Sequence, residues 1–312
     1  MRFPLGLVAL VLVLSASLFS ERVAFCQDST APIETAKVQD VERPLPDIPT
    51  LMREVGGHQK AEEEIRKNYL YRAVETRQDE KGNGTVKKTT VNEYEVFWIN
   101  GVPVQRLLKK DGKQLSPDEQ KKENDRIDKD VAKARERKEK SDSKGKETGP
   151  RGNDAVTASR ILELGTFSNP RRVKLDGRDT IVVDYSGDPK AKTKSRFEDV
   201  FRDLVGTVWV DEQDRVIRKT QGHFLKAFKI GGGLLVNIRQ DTNFAFDQRK
   251  INGEVWLPAR IVGNGSFRFL LLTSFNGTWT LQMSDYRKFK ATSTILPGVS
   301  TVQEGAGETV PQ

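Results

Sequence analysis

The feature that most constrains this chain is the recurrence of turn dipeptides between runs of β-forming residues. Asn-Gly occurs five times and Asp-Gly twice. Both dipeptides tolerate positive φ, which the tight turns of β-hairpins demand. The seven dipeptides begin at Asn83, Asn100, Asp111, Asp176, Asn252, Asn264 and Asn276. Consecutive hairpins of this kind predict an antiparallel meander.

The runs between these turns predict about nine or ten strands and only two or three helices. The first group of predicted strands covers residues 69–78, 86–99 and 102–109. The last group covers residues 255–262, 267–275 and 278–289, with turns at Asn264 and Asn276. The strands predicted between these two groups cover residues 180–185, 207–210, 215–220 and 234–246. The predicted fold is therefore mainly β, with an antiparallel meander.

Two helices stand out against this background. One is predicted to start at Pro49 or Thr50, ahead of the first strand. The other begins with Ser116-Pro117-Asp118-Glu119, a capping box with proline at the first helical position. It forms part of a charged insertion over residues 115–153. This helix is either a solvated segment supported by ion pairs between successive turns or a surface that binds an acidic partner or a membrane.

The two ends of the sequence predict export and a loose tail. Arg2 and the apolar run that follows are typical of a signal peptide over residues 1–26, with cleavage before Gln27. Lipidation of Cys26, the only cysteine, is the alternative. Residues 27–49 are predicted to form a flexible leader, and residues 291–312 a disordered tail. A single domain is expected over residues 50–290.

Composition and motifs exclude several classes of function. The formal net charge is +8, but export argues against a nucleic-acid partner. His58 and His223 are the only histidines and have no metal-ligand spacing around them. No nucleophile elbow, phosphate loop or zinc-protease motif occurs. The sequence therefore predicts no catalytic residue, no metal site, no cofactor and no enzymatic activity.

The apolar pattern suggests an interior that is either packed or hollow. The run from Phe269 to Leu272 does not alternate between apolar and polar residues, so both faces of that strand should meet apolar surroundings. A filled core explains this, and so does a sheet curled around an apolar cavity. In the second case, the candidate cavity residues are Trp98, Trp256, Phe269, Leu271, Trp279 and Leu281.

Three short segments resemble the outer-membrane lipoprotein-sorting proteins of the LolA-like superfamily. They are Gly206-Thr207-Val208-Trp209-Val210-Asp211 with the following Arg215-Val216-Ile217-Arg218, Gly253-Glu254-Val255-Trp256-Leu257-Pro258, and Gly177-Arg178-Asp179-Thr180-Ile181-Val182. The resemblance covers roughly residues 51–290 and implies an open half-barrel of about eleven strands, closed by helices around an apolar interior. Members of that superfamily bind lipid or the acyl chains of lipoproteins in the envelope. The charged insertion departs from the pattern, and the resemblance assigns no residue roles.

Together these features predict an exported protein of the periplasm or the outer membrane. We expect it to bind a lipid or an acylated protein in a half-barrel cavity, as a carrier or sensor, with peripheral membrane contact allowed. The alternative is a structural or interaction module that binds an envelope protein and has no small ligand. A secreted hydrolase with an unrecognised site is a third hypothesis.

Overall fold

The computed structural model describes residues 43–99, 102–142, 158–194, 198–230, 236–240, 242–269 and 273–288. The predicted signal peptide, most of the predicted leader and the predicted tail lie outside the described residues. The end of the charged insertion, from residue 143, also lies outside them.

The helices are α1 Ile48–Arg66, α2 Pro117–Asp142 and α3 Ala158–Glu163, with a 3₁₀ helix at Glu198–Asp203. The first strands are β1 Tyr69–Glu80, β2 Val86–Ile99, β3 Val102–Lys110 and β4 Lys113–Gln114. The middle strands are β5 Gly165–Leu175, β6 Arg178–Gly187, β7 Leu204–Asp211, β8 Val216–Phe224 and β9 Phe228–Ile230. The last strands are β10 Val236–Ile238, β11 Asn243–Ile251, β12 Val255–Phe269 and β13 Thr273–Lys288.

All of these strands belong to one sheet. Its order is β4-β3-β2-β1-β13-β12-β11-β8-β7-β6-β5, and β9 and β10 extend it beside the far end of β12. Every described pairing is antiparallel. Because β4 and β5 end the order without pairing to each other, the sheet is open. The prediction of an open, mainly antiparallel fold with few helices is confirmed.

Four of the predicted turns are present. At Asp111-Gly112, Asp176-Gly177 and Asn252-Gly253 both residues have positive φ, between 47° and 76°. At Asn83-Gly84 only the glycine does, with φ of 80°. These values match the left-handed conformations that the dipeptides were expected to supply. The predicted turn at Asn100 lies outside the described residues.

The turns predicted at Asn264 and Asn276 are wrong, because both dipeptides lie inside long strands. Gly265 pairs with Gly277 in the ladder between β12 and β13. A Cβ added at Gly277 would overlap the carbonyl oxygen of Gln78 on β1. These glycines therefore allow neighbouring backbones to approach closely. In the sequence alone, an Asn-Gly dipeptide with this role looks the same as one that forms a turn.

The predicted strand over residues 234–246 is also wrong, because it is two elements. Val236–Ile238 pairs with the far end of β12, whereas Asn243–Ile251 pairs with the middle of β12 and with β8. The strand β5 was not predicted, because its sequence is mostly polar and only one of its eleven residues is buried, so the alternation expected of a strand is hidden. It is an edge strand, broken by a register shift between Ser168 and Arg171. Such an irregularity discourages pairing with another chain.

The opposite edge of the sheet, at β3 and β4, is protected by α2. Leu107 on β3 donates its backbone N–H to Glu123 Oε1 at 2.8 Å, and Arg126 donates to the carbonyl oxygen of Gln105 at 2.6 Å. Ser116 and Glu119 exchange the hydrogen bonds of the predicted capping box, at 3.0 and 3.3 Å. The first turns of α2 thus satisfy backbone groups that an unpaired strand would expose.

The face of the sheet that helices α1 and α3 cover is called the inner face. Its buried side chains form two main clusters. The helix-packed half joins α1, α3 and the 3₁₀ helix to strands β6, β7, β8, β10 and β11. The aromatic half joins side chains of β1, β2, β3, β12 and β13. Phe267 packs against both clusters, so the apolar interior is continuous from one half to the other.

Candidate ligand-binding site

Helix α1 lies against the inner face because of how its apolar residues are spaced. Asp47 caps it, accepting the Thr50 backbone N–H at 3.0 Å. Leu51 and Val55, one turn apart, are almost completely buried, so they bring the same side of the helix onto the sheet. Gln59, one turn further on, accepts the backbone N–H of Ile217 at 3.2 Å and fixes the helix to β8.

The short helix α3 lies beside α1 and covers the same half. Its Ile161 and Leu162 are buried in the core of the helix-packed half. Tyr185 on β6 donates its hydroxyl to the Ile161 carbonyl oxygen at 2.9 Å, and burial raises the pKa of that hydroxyl. Arg160 is paired with the buried Glu198 at 3.1 Å, which joins α3 to the 3₁₀ helix.

A cavity of about 80 Å³ lies between these helices and the sheet. Its apolar walls are formed by Ile161, Leu162, Val208, Ile217, Phe244 and Phe246, and Gln59 and Tyr185 also border it. At ~30 Å³ for each water in the liquid, this volume corresponds to about two or three water molecules. The largely apolar walls favour a hydrocarbon group over a polar one.

Two glycines set how closely the strands approach beneath this cavity. Gly206 on β7 is paired with Gly222 on β8. A Cβ added at Gly206 would overlap the carbonyl oxygen of Gln221, and one added at Gly222 would overlap that of Val205. A side chain at either position would therefore push the two strands apart, so these glycines support the floor of the cavity.

A single row of paired residues leads from the cavity across the inner face. Phe246 on β11 is paired with Ile261 on β12, Ile261 with Leu281 on β13, and Leu281 with Glu75 on β1. In the other direction Phe246 is paired with Thr220, which also borders the cavity. The row is thus apolar in its centre and ends at a carboxylate.

Glu75 is the centre of a buried polar group within the aromatic half. Its side chain accepts hydrogen bonds from Trp279 Nε1 at 2.7 Å, the Tyr94 hydroxyl at 3.0 Å and Asn92 Nδ2 at 3.4 Å. Glu75 is only 9% exposed, and Trp279 and Tyr94 are equally buried. This is an unusual environment for a carboxylate, since all three donors are neutral.

Trp256 belongs to a different network. Its Nε1 donates to Asp214 at 2.8 Å, and its ring lies beside the guanidinium groups of Arg178 and Arg218. Lys250 and Arg178 also contact Asp214, at 2.7 and 2.8 Å. Burial raises the pKa of Asp214, but hydrogen bonds from Lys250 and Trp256 and the nearby cations outweigh it, so the pKa is lowered. Trp256 is therefore held by charged groups.

The structure brings only part of the predicted site together. Trp279 and Leu281 lie in the aromatic half, whereas Trp256 lies in the charged network. Trp98 is half-buried on β2, with its Nε1 buried and without a hydrogen-bond partner. Phe269 is paired with Val236 and Thr273, and its side chain lies outside the described residues, as does Leu271.

Of the predicted residues whose side chains are described, which are Trp98, Trp256, Trp279 and Leu281, none borders the cavity beneath α1 and α3. The residues that do were missed, although Phe244 and Phe246 carry a readable signal: they lie two positions apart on one strand, between the polar residues Asn243 and Asp247. Gln59 and Thr220 gave no signal, because only the tertiary fold brings them to the cavity. Glu75 was also missed, because a single acidic residue in a strand with many polar residues gives no signal of a site.

Neither a metal site nor a membrane-spanning helix is found in the described part of the chain. No group of three or more His, Cys, Asp or Glu side chains there is placed to hold a metal ion. Among the helices described, none has the length and apolar character needed to cross a membrane.

Comparison with known proteins adds little beyond the fold. No protein-family model matches the chain, and no curated protein matches its sequence. Among solved structures, it is similar to a DUF1329 family protein from Desulfovibrio piger, at 9% identity and a TM-score of 0.31, over 80% of this chain and 96% of that one. It is also similar to a LolA superfamily protein from Nitrosomonas europaea, at 13% identity and a TM-score of 0.26, over 76% and 93%. A third similarity is to the MucA/MucB complex of Pseudomonas aeruginosa, at 8% identity and a TM-score of 0.23, over 79% and 100%.

Proposed function

We propose that this chain is an exported envelope protein that binds the acyl chain of a lipid or lipoprotein, as a non-enzymatic carrier or sensor. The observation that carries the proposal is the largely apolar cavity between the inner face of an open sheet and the helices α1 and α3. Apolar side chains continue from it along the row through Ile261 and Leu281. An acyl chain is the ligand whose shape and chemistry match such a surface.

The size of the cavity implies that the helices move when a whole acyl chain binds. About 80 Å³ is well below the ~300–1,000 Å³ typical of ligand pockets. The helix α3 has only six residues. Displacement of α3 would enlarge the cavity without breaking any pairing of the sheet. The proposal therefore includes an opening motion of α3 relative to β6 and β7.

The first test is native mass spectrometry of the purified protein, followed by solvent extraction and lipid analysis. We expect a copurified phospholipid or acylated species, or saturable uptake of an added fatty-acid or uncharged fatty-alcohol probe by the ligand-free protein. A ligand-free mass with no uptake of either probe would overturn the proposal.

A second candidate function, an interaction module without a small ligand, is favoured by one specific observation. Beyond the contacts of Glu123, Arg126 and Ile127, the described side chains of α2 are largely exposed and charged. A photo-crosslinker introduced at Lys129 should capture an envelope protein if this candidate is right. The same crosslinker at Lys219, on β8, serves as the control, and equal capture at both positions would exclude a specific interface on α2.

A further inference from the structure

The buried carboxylate of Glu75 is the feature of the inner face that an acyl-chain site alone does not explain. Burying a carboxylate among apolar and aromatic side chains is costly unless a cation or several donors compensate it. Trp279, Tyr94 and Asn92 supply three neutral donors. We infer that Glu75 binds the ammonium group of a cationic amphiphile whose chain extends toward the cavity. The inference rests on the proposed function and deepens it by naming the ligand's polar end.

The charges around Glu75 leave a place for such a cation. No ion pair to Glu75 occurs among the described residues. The nearest basic residue on the same strand and face is Arg77, whose guanidinium pairs with Asp79 at 2.6 Å and lies 4.8 Å from the centre of the Phe275 ring. A carboxylate has about four lone-pair sites, and three are filled by neutral donors. A charge-assisted hydrogen bond to the fourth is stronger than any of these three.

The distance between Glu75 and the cavity suits a single-chain amphiphile. Glu75 and Phe246 are separated by three strand intervals along the row through Leu281 and Ile261. With adjacent strands ~4.8 Å apart, this separation is roughly 14 Å. A medium-length alkyl chain spans it, with its ammonium group at Glu75 and its far end beside Phe246. Because Leu281 and Ile261 are buried in the free protein, binding requires the side chains that cover them to move aside. The apolar centre of the row matches the middle of such a chain.

The same arrangement disfavours an anionic ligand. A fatty-acid carboxylate directed toward Glu75 would place two like charges together in a desolvated site, where their repulsion is larger than in water. The side chains of the aromatic half are therefore suited to selecting the charge of the ligand, whereas the cavity selects its apolar chain.

The test compares three probes of equal chain length, which are dodecylammonium, dodecanol and dodecanoate. Affinities are measured by isothermal titration at neutral pH on the full chain, for the native protein and for Glu75→Gln. The amide keeps an oxygen to accept the Trp279 N–H but removes the charge. Glu95→Gln is the matched control, because Glu95 is on the neighbouring β2 and pairs with Arg106 instead. It changes the net charge by the same amount.

We expect the native protein to bind dodecylammonium at least about tenfold more tightly than dodecanol, because a charged hydrogen bond exceeds a neutral one by about that factor, and to bind dodecanoate more weakly still. Glu75→Gln should lose most of this preference while retaining dodecanol, and Glu95→Gln should keep it. Binding of all three probes without charge preference would overturn the inference and leave the proposed function standing. Failure of the native protein to bind any probe would overturn both. If Glu75→Gln does not fold, the inference is decided by whether the native protein binds dodecylammonium more tightly than the other two probes.

Discussion

The two halves of the inner face are built on different principles. The helix-packed half is aliphatic and phenylalanine-rich, and helices α1 and α3 cover it through side chains such as Leu51, Val55 and Ile161. The aromatic half contains a buried carboxylate, Glu75, with hydrogen bonds from a tryptophan and a tyrosine. One curled sheet thus offers an apolar end with a cavity and a polar end with a charge.

This difference implies that the two halves resist mutation in different ways. In the helix-packed half the free energy of unfolding depends on buried apolar area. Truncating a side chain there lowers this free energy by an amount that grows with the cavity it leaves. In the aromatic half it depends on satisfied hydrogen bonds, where removal of an acceptor leaves donors buried without a partner. The following substitutions test this comparison, from the largest expected effect to the smallest.

The largest effect is expected for Leu51→Ala in α1. Leu51 is 1% exposed and packs in the core of the helix-packed half. At a position this deeply buried, a Leu→Ala change lowers the free energy of unfolding by ~3–4 kcal/mol. The measurement is urea denaturation followed by circular dichroism. The control is Leu45→Ala, at an exposed leucine, which should change the unfolding free energy by less than ~0.5 kcal/mol. Equal effects of both changes would show that α1 is not part of the core.

A smaller loss is expected when Glu75 is replaced by leucine. The change leaves the Trp279 N–H and the Tyr94 hydroxyl buried without their acceptor, and each such group costs ~1–3 kcal/mol. We expect a total loss of roughly 2–3 kcal/mol in thermal unfolding. Glu75→Gln, which keeps an acceptor oxygen, should lose less than half of that. If the leucine variant is as stable as the native protein, the polar group of the aromatic half is not a determinant of its stability.

A moderate, local effect is expected for Glu123→Ala on α2. The change removes the acceptor for the Leu107 backbone N–H and the partner of Arg126, at a cost of ~1–2 kcal/mol. Hydrogen exchange should show faster exchange of the Leu107 amide and of the first turns of α2. Glu139→Ala, on the exposed part of the same helix, is the control and should leave the Leu107 amide unchanged. Unchanged exchange in both variants would contradict the role given to α2 at the edge of β3.

The smallest effect concerns Glu62, on the side of α1 that faces β12. Burial raises the pKa of its carboxyl, although the Trp256 backbone N–H and the charges of Arg66 and His58 lower it, and Asp214 raises it. A carboxyl whose folded pKa is raised destabilises the protein when ionised, so the penalty is present at neutral pH and vanishes below the unfolded pKa of about 4.3. Glu62→Gln should therefore be slightly more stable than the native protein at pH 7. The two should converge near pH 4, as measured by urea denaturation at both pH values.

The opposite dependence on pH for Glu62→Gln would show that Arg66 and His58 stabilise the ionised carboxyl more than burial penalises it. No dependence on pH would show that the carboxyl is solvated. In that case α1 would sit less tightly on β12 than described.

Much of the fold could be predicted from the sequence, because turn chemistry and strand alternation are local. The strand 86–99 and the capping box at Ser116 were predicted at the residues where they occur. The failures at Asn264 and Asn276 arose because glycine serves two purposes. Whether it supplies a turn or lets backbones approach is decided by the neighbouring strand, which the sequence does not show.

The candidate site was less predictable, since it depends on which residues the register brings side by side. Large aromatic residues were chosen because they dominate apolar interiors, yet Trp256 is held in a charged network. Phe246 and Glu75 are 171 positions apart, but they lie in one row of the sheet through Ile261 and Leu281. Only the pairing of the strands places them together.

The most direct test of the central claim is titration of an uncharged fluorescent fatty-alcohol probe into the native protein and into Thr220→Leu. Thr220 borders the cavity, so the larger apolar side chain should occupy part of the space that the acyl chain needs. Thr280→Leu on β13, where the threonine pairs with Thr76 and does not border the cavity, is the control. The account predicts that Thr220→Leu weakens binding of the probe at least about tenfold, equivalent to ~1.4 kcal/mol, while Thr280→Leu binds it like the native protein. Equal binding by all three proteins would contradict the claim that the acyl chain lies beneath α1 and α3.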